Sequence, residues 1–434
     1  MIELLNKTEK MFGGLGSFLL LWITQSFSAF GSAMTSFAFV IWSYEKQGSA
    51  LTTALLSICS YAPYVILSIF AGALSDRWNK KITMLICDSF AAVTTVFVFV
   101  LLRMGVLEIW HLYILNGLNG LMNTVQQPSS DVAVSLLVPK KYYHRISGMR
   151  AFSNSLVTVL TPICAAAILS FAGIEAVIFF DLFTFSAAFL SLAFLIRIPS
   201  GGGEEREPVM KAVRSGLEYL RNNRGILDLI LFLAAVNFIA SMYEAALPAM
   251  LLSREEGGRT ALGLVNMCAG LANVAGSILV SFSQPPKSRI KVICNGLLFS
   301  MGTENFFLAF GKSIPVWCSG AFLGWLFIPF MNASMDVVFR ETIPVSMQGR
   351  VYSARNTLQF FTIPLGYFMG GFLTDCLFEP MMRRMEPGSF MVRIFGEGKG
   401  SGAAVLFFFL ACTGVLVCLI FRRDRHIWNL EKKR

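Results

Sequence analysis

The sequence contains few of the residues that catalytic and metal sites need. Charged residues make up only 14% of its 434 positions, against roughly 25% in average soluble domains. The three histidines stand alone, without the spacing of metal ligands, and no two of the nine cysteines form a CxxC pair. A G-x-x-x-x-G-K-[ST] loop for ATP is also missing. We therefore expect a protein that is not an enzyme, holds no metal or other cofactor, and draws no energy from ATP.

Apolar residues, by contrast, make up 55% of the chain. They form runs of about 20 residues along its whole length, and such a run crosses a hydrocarbon core of about 30 Å as a helix. The sequence thus predicts an all-α polytopic membrane protein with twelve transmembrane helices in two pseudo-symmetric six-helix bundles. The predicted spans, numbered 1 to 12 in chain order, are 16–43, 50–75, 82–103, 107–131, 148–172, 174–197, 226–251, 260–283, 290–311, 313–336, 349–378 and 402–422.

Basic residues are unevenly distributed between the predicted connections. The termini and the connections that follow even-numbered spans hold 27 of the 36 Lys and Arg residues, and the other connections hold 9. Because basic residues accumulate on the cytoplasmic side of membrane proteins, we expect both termini in the cytoplasm. The net charge of +10 is then explained without a nucleic-acid partner. The outer connection 379–401 is the exception, with four basic residues, and we interpret it as a mobile outer flap.

The chain is expected to consist of two halves and a linker. Residues 1–197 would form the first six-helix bundle, 198–225 a cytoplasmic linker, and 226–434 the second bundle. Five linker residues share one helical face, which predicts an amphipathic helix near the membrane surface: Val209, Ala212, Val213, Leu217 and Leu220. An internal repeat at a constant offset of 205 positions supports the division, because Asp131, Pro139, Arg145 and Arg150 match Asp336, Pro344, Arg350 and Arg355.

Four acidic residues fall inside predicted spans. Hydrocarbon makes a charge costly, so such acids mark functional positions by default. Burial also favours the neutral form of carboxyl groups, which suits a proton carrier. The candidates for proton coupling are Glu244, which we rank first, then Glu304, Asp181 and Asp88. Two alternatives stay open: Asp88 and Asp181 could lie at the membrane interface, and Glu244 could be a solvated charge at the outer rim.

Residues 72–81, at the predicted cytoplasmic turn between spans 2 and 3, read GALSDRWNKK. This stretch resembles the signature of the major facilitator superfamily, G-x-L-x-D-R-x-G-R-K, with Asn79 and Lys80 in place of the usual Gly and Arg. With the twelve spans and the internal repeat, the resemblance extends over the whole chain. It implies two halves that rock against each other about a midplane cavity, with this turn as part of a cytoplasmic gate.

The resemblance also assigns roles to residues at the inner turns. Asp76 would face the positive N-terminal end of a helix near 349–355, and Lys80 would pair with Asp131. In the second half, Lys287 or Arg289 would pair with Asp336. The expected gate residues are Gly72, Asp76, Arg77, Lys80, Lys81 and Asp131 in the first half, and Asp336, Arg350 and Arg355 in the second. The basic residues of the first set could instead serve only as topology determinants.

Further stretches are similar to the macrolide-efflux type of facilitator, a drug-exporter subfamily. They include QPSSDVAVSLLVP, GLEYLRNNRGI and GRVYSARNTLQFFTIPLG. The resemblance implies a secondary active transporter that exports amphipathic small molecules, such as macrolide-like drugs, across a bacterial plasma membrane by proton antiport. A siderophore exporter or a metabolite importer of the same fold remains open. So does a facilitator-like sensor or scaffold that transports nothing.

By analogy with this fold, spans 1, 4, 7 and 10 line the cavity, together with spans 2, 5, 8 and 11. The substrate-binding candidates are polar residues of spans 1, 4 and 7: Trp22, Gln25, Asn119, Asn123, Gln126, Asn237 and Tyr243. The 40 Phe and 20 Met residues would suit an adaptable apolar pocket, although most are expected to face lipid or pack between helices. The expected partners are a small-molecule substrate, protons and the lipid bilayer, and we expect the chain to act as a monomer.

Overall fold

The apolar segments of the first half form long helices separated by short turns. A computed structural model describes residues 16–139, 142–196, 198 and 209–432. The first-half helices are α1 (Gly16–Gln47), α2 (Ala50–Arg77), α3 (Lys80–Arg103), α4 (Ile109–Leu137) and α5 (Tyr143–Leu190), and a π-helical turn (Ser191–Leu195) ends α5. These elements lie at the positions of predicted spans 1 to 6.

Helix α5 is 48 residues long and contains both span 5 and span 6. Gly173 divides it, with a φ of 77° that an L-residue with a side chain rarely adopts. The chain therefore changes direction at the position where the sequence, by its FAGIEA stretch, placed the boundary between the two spans. The predicted break is confirmed.

The second half begins with a short helix and continues with the remaining spans. Its elements are α6 (Val209–Asn222), α7 (Arg224–Ser253), α8 (Arg259–Phe282), α9 (Arg289–Phe310), α10 (Ile314–Leu326), α11 (Ile328–Thr342), α12 (Val345–Phe360), α13 (Thr362–Phe372), a π-helical turn (Leu373–Phe378), α14 (Glu379–Arg383), α15 (Phe390–Phe395), α16 (Ser401–Arg422) and α17 (Arg425–Lys432). Helices α10 and α11 make up span 10, and α12, α13 and the π-helical turn make up span 11.

Nine helices within the described residues are long and apolar enough to cross a membrane. One of them is the broken α5, which supplies two spans, and α1 and α4 lie at the positions of spans 1 and 4. All twelve predicted spans are therefore helical, and the predicted all-α membrane fold is confirmed. In the second half, α7 and α9 are the most enclosed spans, with 56% and 61% of their apolar windows buried.

The chain divides into two compact units. One consists of Met1–Phe39 and Cys59–Arg206, and the other of Val40–Ile58 and Glu207–Arg434. The sequence placed all of spans 1 and 2 in the first bundle. The contacts instead group the turn between α1 and α2 with the second half of the chain, although the rest of both helices belongs to the first unit.

The linker helix forms as predicted, but it is fixed to the second half. Helix α6 packs against α12, and the Tyr219 hydroxyl donates a hydrogen bond to the Thr342 carbonyl at 3.1 Å. Leu220 is buried while Leu217 is 44% exposed, so the predicted apolar face is only partly covered. The side chains of the other three predicted face residues, Val209, Ala212 and Val213, lie outside the described residues.

The interpretation of 379–401 as a mobile flap is wrong, because the segment is folded and attached at several points. Helices α14 and α15 form within it. Glu379, at its start, accepts a hydrogen bond from the Gly400 amide at 2.8 Å near its end. The Arg254 guanidinium donates to the Phe395 carbonyl, and the Lys312 ammonium donates to the Arg393 carbonyl at 3.0 Å. The segment is thus a structured outer cap.

Candidate functional site

Three predicted site residues meet in the first unit, although they come from different spans. The Asp88 side chain on α3 accepts hydrogen bonds from the carboxamides of Gln25 on α1 and Gln126 on α4. The Gln25 bond is 3.3 Å long, and Asp88 is only 9% exposed. A proton-coupling candidate and two substrate-binding candidates therefore form one cluster, which we name the Asp88 cluster.

Two further polar residues of α1 lie close to Gln25 in the chain, Ser26 next to it and Trp22 about one turn before it. The Ser26 hydroxyl donates to the Ser153 hydroxyl at 3.1 Å. Trp22, another substrate-binding candidate, has a buried indole N–H without a hydrogen-bond partner among the described residues. A buried donor without a partner is unfavourable, so a ligand that accepted this bond would relieve the deficit.

A second buried acid of the first unit lies between α1 and the second arm of α5. Asp181 is 4% exposed and accepts a hydrogen bond from the Ser32 hydroxyl at 2.9 Å. Gly31 allows this close approach, because a Cβ there would come within 2.4 Å of the Thr184 hydroxyl oxygen. Both Asp88 and Asp181 are thus enclosed by helices within their unit.

The second unit has a buried acid of its own, Glu304 on α9. It is 5% exposed and accepts a hydrogen bond from the Trp325 indole N–H on α10 at 2.8 Å. The Tyr243 hydroxyl on α7 also hydrogen-bonds to it. Gly324 provides the space, since a Cβ at that position would lie 2.6 Å from the Cβ of Glu304. We name this group the Glu304 cluster.

The candidate ranked first, Glu244, lies in a different setting from its neighbour Tyr243. Its side chain is exposed on α7, whereas Tyr243 is 6% exposed and packs edge-to-face on Phe407 with ring centroids 5.5 Å apart. On the same helix, the Asn237 carboxamide donates to the Gln359 carbonyl at 3.2 Å. The structure therefore brings Tyr243 to Glu304 and leaves Glu244 and Asn237 outside this cluster.

The other substrate-binding candidates of α4 are also separate from the Asp88 cluster. Asn119 accepts a hydrogen bond from the Thr94 hydroxyl of α3 at 3.1 Å, which explains it as a contact between neighbouring spans. Asn123 is exposed. Only Gln126 of the three α4 candidates contacts a buried acid.

The buried acids share one electrostatic property. Asp88, Asp181 and Glu304 accept hydrogen bonds from neutral donors, and within the described residues none of them forms an ion pair with Lys or Arg. Acids in this setting form proton relays in membrane transporters. They can also bind a cationic or hydrogen-bond-donating group of a ligand, because no internal cation neutralises them.

The backbone of the inner turn of the first half is described throughout, but its side chains are described only from Trp78 onward. The side chains of Gly72, Asp76 and Arg77 lie outside the described residues, as does that of Arg350 in the second half. Asn79, which replaces the family's usual glycine, is the N-cap of α3 and accepts from the Ile82 amide at 3.2 Å.

The two lysines that follow Asn79 bond to backbone oxygens. Lys80 is buried and donates to the Trp78 carbonyl at 3.1 Å. Lys81 donates to the carbonyls of Ala193 and Ile196 at 2.9 and 2.8 Å, and so satisfies the C-terminal end of span 6. Lys81 therefore has a local structural contact in addition to its predicted gate role.

The positions matched by the internal repeat form a pair of opposite charges in each half. Asp131 forms an ion pair with Arg150 at 2.6 Å, and Arg355, which matches Arg150, interacts electrostatically with Asp336. Arg355 also lies over the ring of Phe339, 5.0 Å from its centroid. These pairs follow the 205-position offset that the sequence showed.

One predicted partner of Asp336 is wrong. Arg289 instead pairs with Glu341 at 2.8 Å, one helical turn and a residue further along α11. The pairing of Lys80 with Asp131 stays a prediction, as does the contact of Asp76 with the helix that begins at Val345.

One residue of the Glu304 cluster, Trp325, was not predicted from the sequence. Trp325 lies in the apolar stretch FLGWLFIPF, where a tryptophan normally packs as a hydrophobic residue. Its indole N–H needs an acceptor when buried, and that requirement was the available signal. Which acid would supply the acceptor depended on how α9 and α10 pack together.

Comparison with known proteins agrees with this architecture. Residues 21–367 match the family model described as Major Facilitator Superfamily. The chain is 24% identical over 366 residues to Macrolide efflux protein A of Streptococcus pyogenes, with 82% of this chain and 89% of that protein covered. It is 23% identical over 379 residues to the Multidrug efflux pump Tap of Mycolicibacterium fortuitum, with 83% and 90% covered.

Solved structures resemble the fold over nearly their full length. A bacterial homolog of the human lysosomal transporter Spinster, in an inward-facing and unoccupied conformation, superposes with a TM-score of 0.67 at 15% identity, covering 95% of this chain and 98% of that one. The nucleoside transporter NupG also gives a TM-score of 0.67, at 11% identity, covering 93% and 98%.

Proposed function

The chain belongs to the major facilitator superfamily, and from this membership we propose that it exports amphipathic organic compounds across a bacterial plasma membrane in exchange for protons. Its relatives include a protein named for macrolide efflux and one named as a multidrug efflux pump. The sequence contains no G-x-x-x-x-G-K-[ST] loop for ATP, so we propose that an ion or substrate gradient supplies the energy for transport. Both termini would lie in the cytoplasm, and a single copy would carry out transport.

The observation that carries this proposal is the Asp88 cluster. A buried acid holds its position through two carboxamides from α1 and α4, which are spans expected to line the substrate path. A proton that binds Asp88 turns one of its two accepting oxygens into a donor, while the other oxygen can still accept. The carboxamide that faces the protonated oxygen, Gln25 or Gln126, must then reorient. Proton binding and the arrangement of candidate substrate-binding groups are thereby coupled through three side chains.

The Glu304 cluster gives the second unit a comparable acid. Its donors, Trp325 and Tyr243, come from α10 and α7, so protonation there would alter contacts between three spans. We propose Asp88 as the acid that couples protons to substrate, with Glu304 as a second proton site. Glu244 stays a candidate for an initial proton-binding position, because its side chain is exposed.

The inner gate keeps the role that the family resemblance gave it. Asp76 at the end of α2 would face the start of α12, and a helix N-terminus carries a partial positive charge that favours a carboxylate. The charge pairs Asp131–Arg150 and Asp336–Arg355 lie at equivalent places in the two halves. We propose that they fix the inner ends of spans 4 and 5 and of spans 10 and 11 while the gate opens and closes.

The proposal is tested by transport into proteoliposomes under an imposed pH gradient, with macrolides, cationic dyes and siderophores as substrates. Asp88→Asn and Glu304→Gln keep side-chain shape but cannot exchange a proton. We expect each to reduce pH-driven accumulation at least about tenfold, because a neutral amide cannot take up and release the proton that a carboxyl group carries. Counterflow exchange of substrate, which needs no net proton movement, should be largely retained.

A matched control is Glu397→Gln, which neutralises an exposed acid of the outer cap and should leave both measurements unchanged. If Asp88→Asn and Glu304→Gln both accumulate substrate as well as the unmodified protein does, the coupling proposal is wrong. Transport of siderophores alone would identify a siderophore exporter, and the absence of flux for every compound would favour a sensor or scaffold.

A further inference from the structure

The turn between α1 and α2 belongs to a different unit from the bodies of the two helices. Residues Val40–Ile58 group with Glu207–Arg434, whereas the remaining parts of α1 and α2 group with the first unit. This turn is on the predicted outer side. The turn is therefore held by the second unit unless its contacts there break or both helices bend.

Asp375 forms the centre of the attachment. It lies in the π-helical turn that ends span 11, and its carboxylate accepts hydrogen bonds from the backbone amides of Ala50 and Leu51 at 3.0 and 2.8 Å. The Ser49 hydroxyl donates to it at 2.6 Å. Ser49 in turn accepts from the Thr52 amide at 3.1 Å.

These bonds satisfy the first three amides of α2, which no residue within the helix can satisfy. They also place a carboxylate at the positive end of the helix, where a negative charge is stabilising. The start of α2 thus depends on an acid that lies more than 300 positions away in the chain.

A glycine makes this approach possible. Gly371 lies one turn before Asp375, and a Cβ there would be 2.6 Å from the Leu51 Cα and 3.1 Å from the Ala54 Cβ. The nearest atom belongs to the backbone, so a side chain could fit only if the two helices moved apart. The contact between span 11 and the start of α2 is therefore sterically specific as well as electrostatic.

Three side-chain contacts surround the Asp375 contact. Arg259, at the start of α8, forms a two-pronged ion pair with Glu45 at 2.5 and 2.7 Å. The Tyr44 hydroxyl shares a hydrogen bond with the Ser253 hydroxyl. The ammonium of Lys399, from the outer cap, lies over the Tyr44 ring at 5.2 Å from its centroid. Spans 7, 8 and 11 and the cap all hold the same turn.

We propose that these contacts form an outer clamp that closes the substrate path on the predicted outer side, with Asp375 as its positioning residue. Export then requires the clamp to open in each cycle. The outer cap 379–401 would then be part of the clamp. Lys399 contacts the Tyr44 ring, and Glu379 positions the end of the cap near Lys399 by accepting a hydrogen bond from the Gly400 amide.

The clamp and the predicted inner gate both involve α2 and span 11. Asp375, near the end of span 11, caps the start of α2, while Asp76, near the end of α2, is expected to face the start of span 11. The two contacts are at opposite ends of the same helix pair. Rocking of the units would relax one contact as it forms the other, so each carboxylate would favour one of the two transport states.

The test measures the distance across the clamp in full-length protein in lipid nanodiscs. Spin labels are attached through unnatural amino acids at Lys46 and Glu256, because the chain contains nine native cysteines. Both positions are exposed, one on the turn and one in the second half. Pulsed electron-resonance distances then report the populations of clamped and open protein without any knowledge of the substrate, so the result is independent of the proposed proton coupling.

We expect the unmodified protein to give mainly a short distance. Asp375→Ala should increase the ratio of long to short distances about tenfold, as expected for loss of several charge-assisted hydrogen bonds. Gly371→Val should have a similar effect without a change in charge. Glu397→Gln, on the cap but outside the clamp, should leave the ratio unchanged.

A charge exchange keeps the test informative if the Asp375 and Gly371 variants fold poorly. Glu45→Arg should raise the open population, and the double variant Glu45→Arg with Arg259→Glu should restore the short distance. The clamp does not control the outer opening if the ratio of long to short distances stays at the unmodified value in Asp375→Ala, Gly371→Val and Glu45→Arg. The same conclusion follows if the double variant is as open as Glu45→Arg alone.

Discussion

The Asp88 cluster illustrates what a sequence reveals about individual residues and what it conceals. An acid or a carboxamide inside an apolar run is conspicuous, so Gln25, Asp88 and Gln126 could each be predicted as functional. Their contact could not, because 63 positions separate Gln25 from Asp88 and only the packing of three helices joins them. For the same reason the sequence ranked Glu244 above Glu304: the polar residues near Glu244 along its own helix are readable from the sequence, but the hydrogen bonds at Glu304 are not.

The Glu304 cluster leads to a prediction about stability. Trp325→Phe removes the indole N–H that donates to Glu304 and keeps an aromatic ring in place. A buried acceptor without its donor costs about 1 to 3 kcal/mol, so the variant should unfold at a lower temperature in detergent.

Trp110→Phe is the matched control for this change. Trp110 is 56% exposed, and its replacement should alter the free energy of unfolding by no more than about 0.5 kcal/mol. Equal losses in the two variants would show that the Trp325–Glu304 hydrogen bond contributes nothing beyond the tryptophan side chain itself.

Several helices in this protein begin at a carboxylate from a distant segment. Asp375 caps α2, Glu379 caps α16 through Gly400 and Ala403, and Glu431 caps α9 through the Ser288 hydroxyl and the Ile290 amide. The spans could be predicted from their apolar runs because length and composition determine them. Their caps could not, since each depends on which helix end meets which acid. The interruptions at Phe327 and Phe361 did have a sequence signal, since Pro329 and Pro364 follow them closely and proline interrupts helices.

The break in α5 is the exception, because a glycine marks it. Gly173→Ala places a Cβ at a φ of 77° and a ψ of 176°, a backbone region that is essentially restricted to glycine and costs other residues about 1 to 3 kcal/mol. No atom lies within 4 Å of that Cβ, so the loss would come from the backbone alone.

Gly148→Ala is the comparison within the same helix. A Cβ at Gly148 would also have no contact within 4 Å among the described residues. Because Gly148 has a helical backbone, alanine there should raise the free energy of unfolding by up to about 1 kcal/mol. Thermal unfolding of both variants measures the difference. If the Gly173→Ala protein were as stable as the Gly148→Ala protein, the break would not require a residue with positive φ.

Each unit has buried acids that form no ion pair among the described residues, and the turn between α1 and α2 groups with the second unit. The apolar runs predicted the number and order of the spans, and the internal repeat predicted matching charged positions but not which of them pair. They could not predict that residues 40–58 group with the second half, since that depends on contacts of Asp375, Arg259 and Lys399 with the turn. We propose from these features an exporter in which proton exchange at buried acids drives alternation between a clamped and an open outer side.

Proton movement caused by substrate tests this account most directly. Proteoliposomes would contain a pH-sensitive dye in their lumen, with potassium and valinomycin to remove any membrane potential, and a transported substrate would be added outside. Antiport predicts that the internal pH rises as substrate enters and protons leave, and that the rise is absent in Asp88→Asn. Entry of substrate with no change in internal pH, or with a fall, would contradict the account.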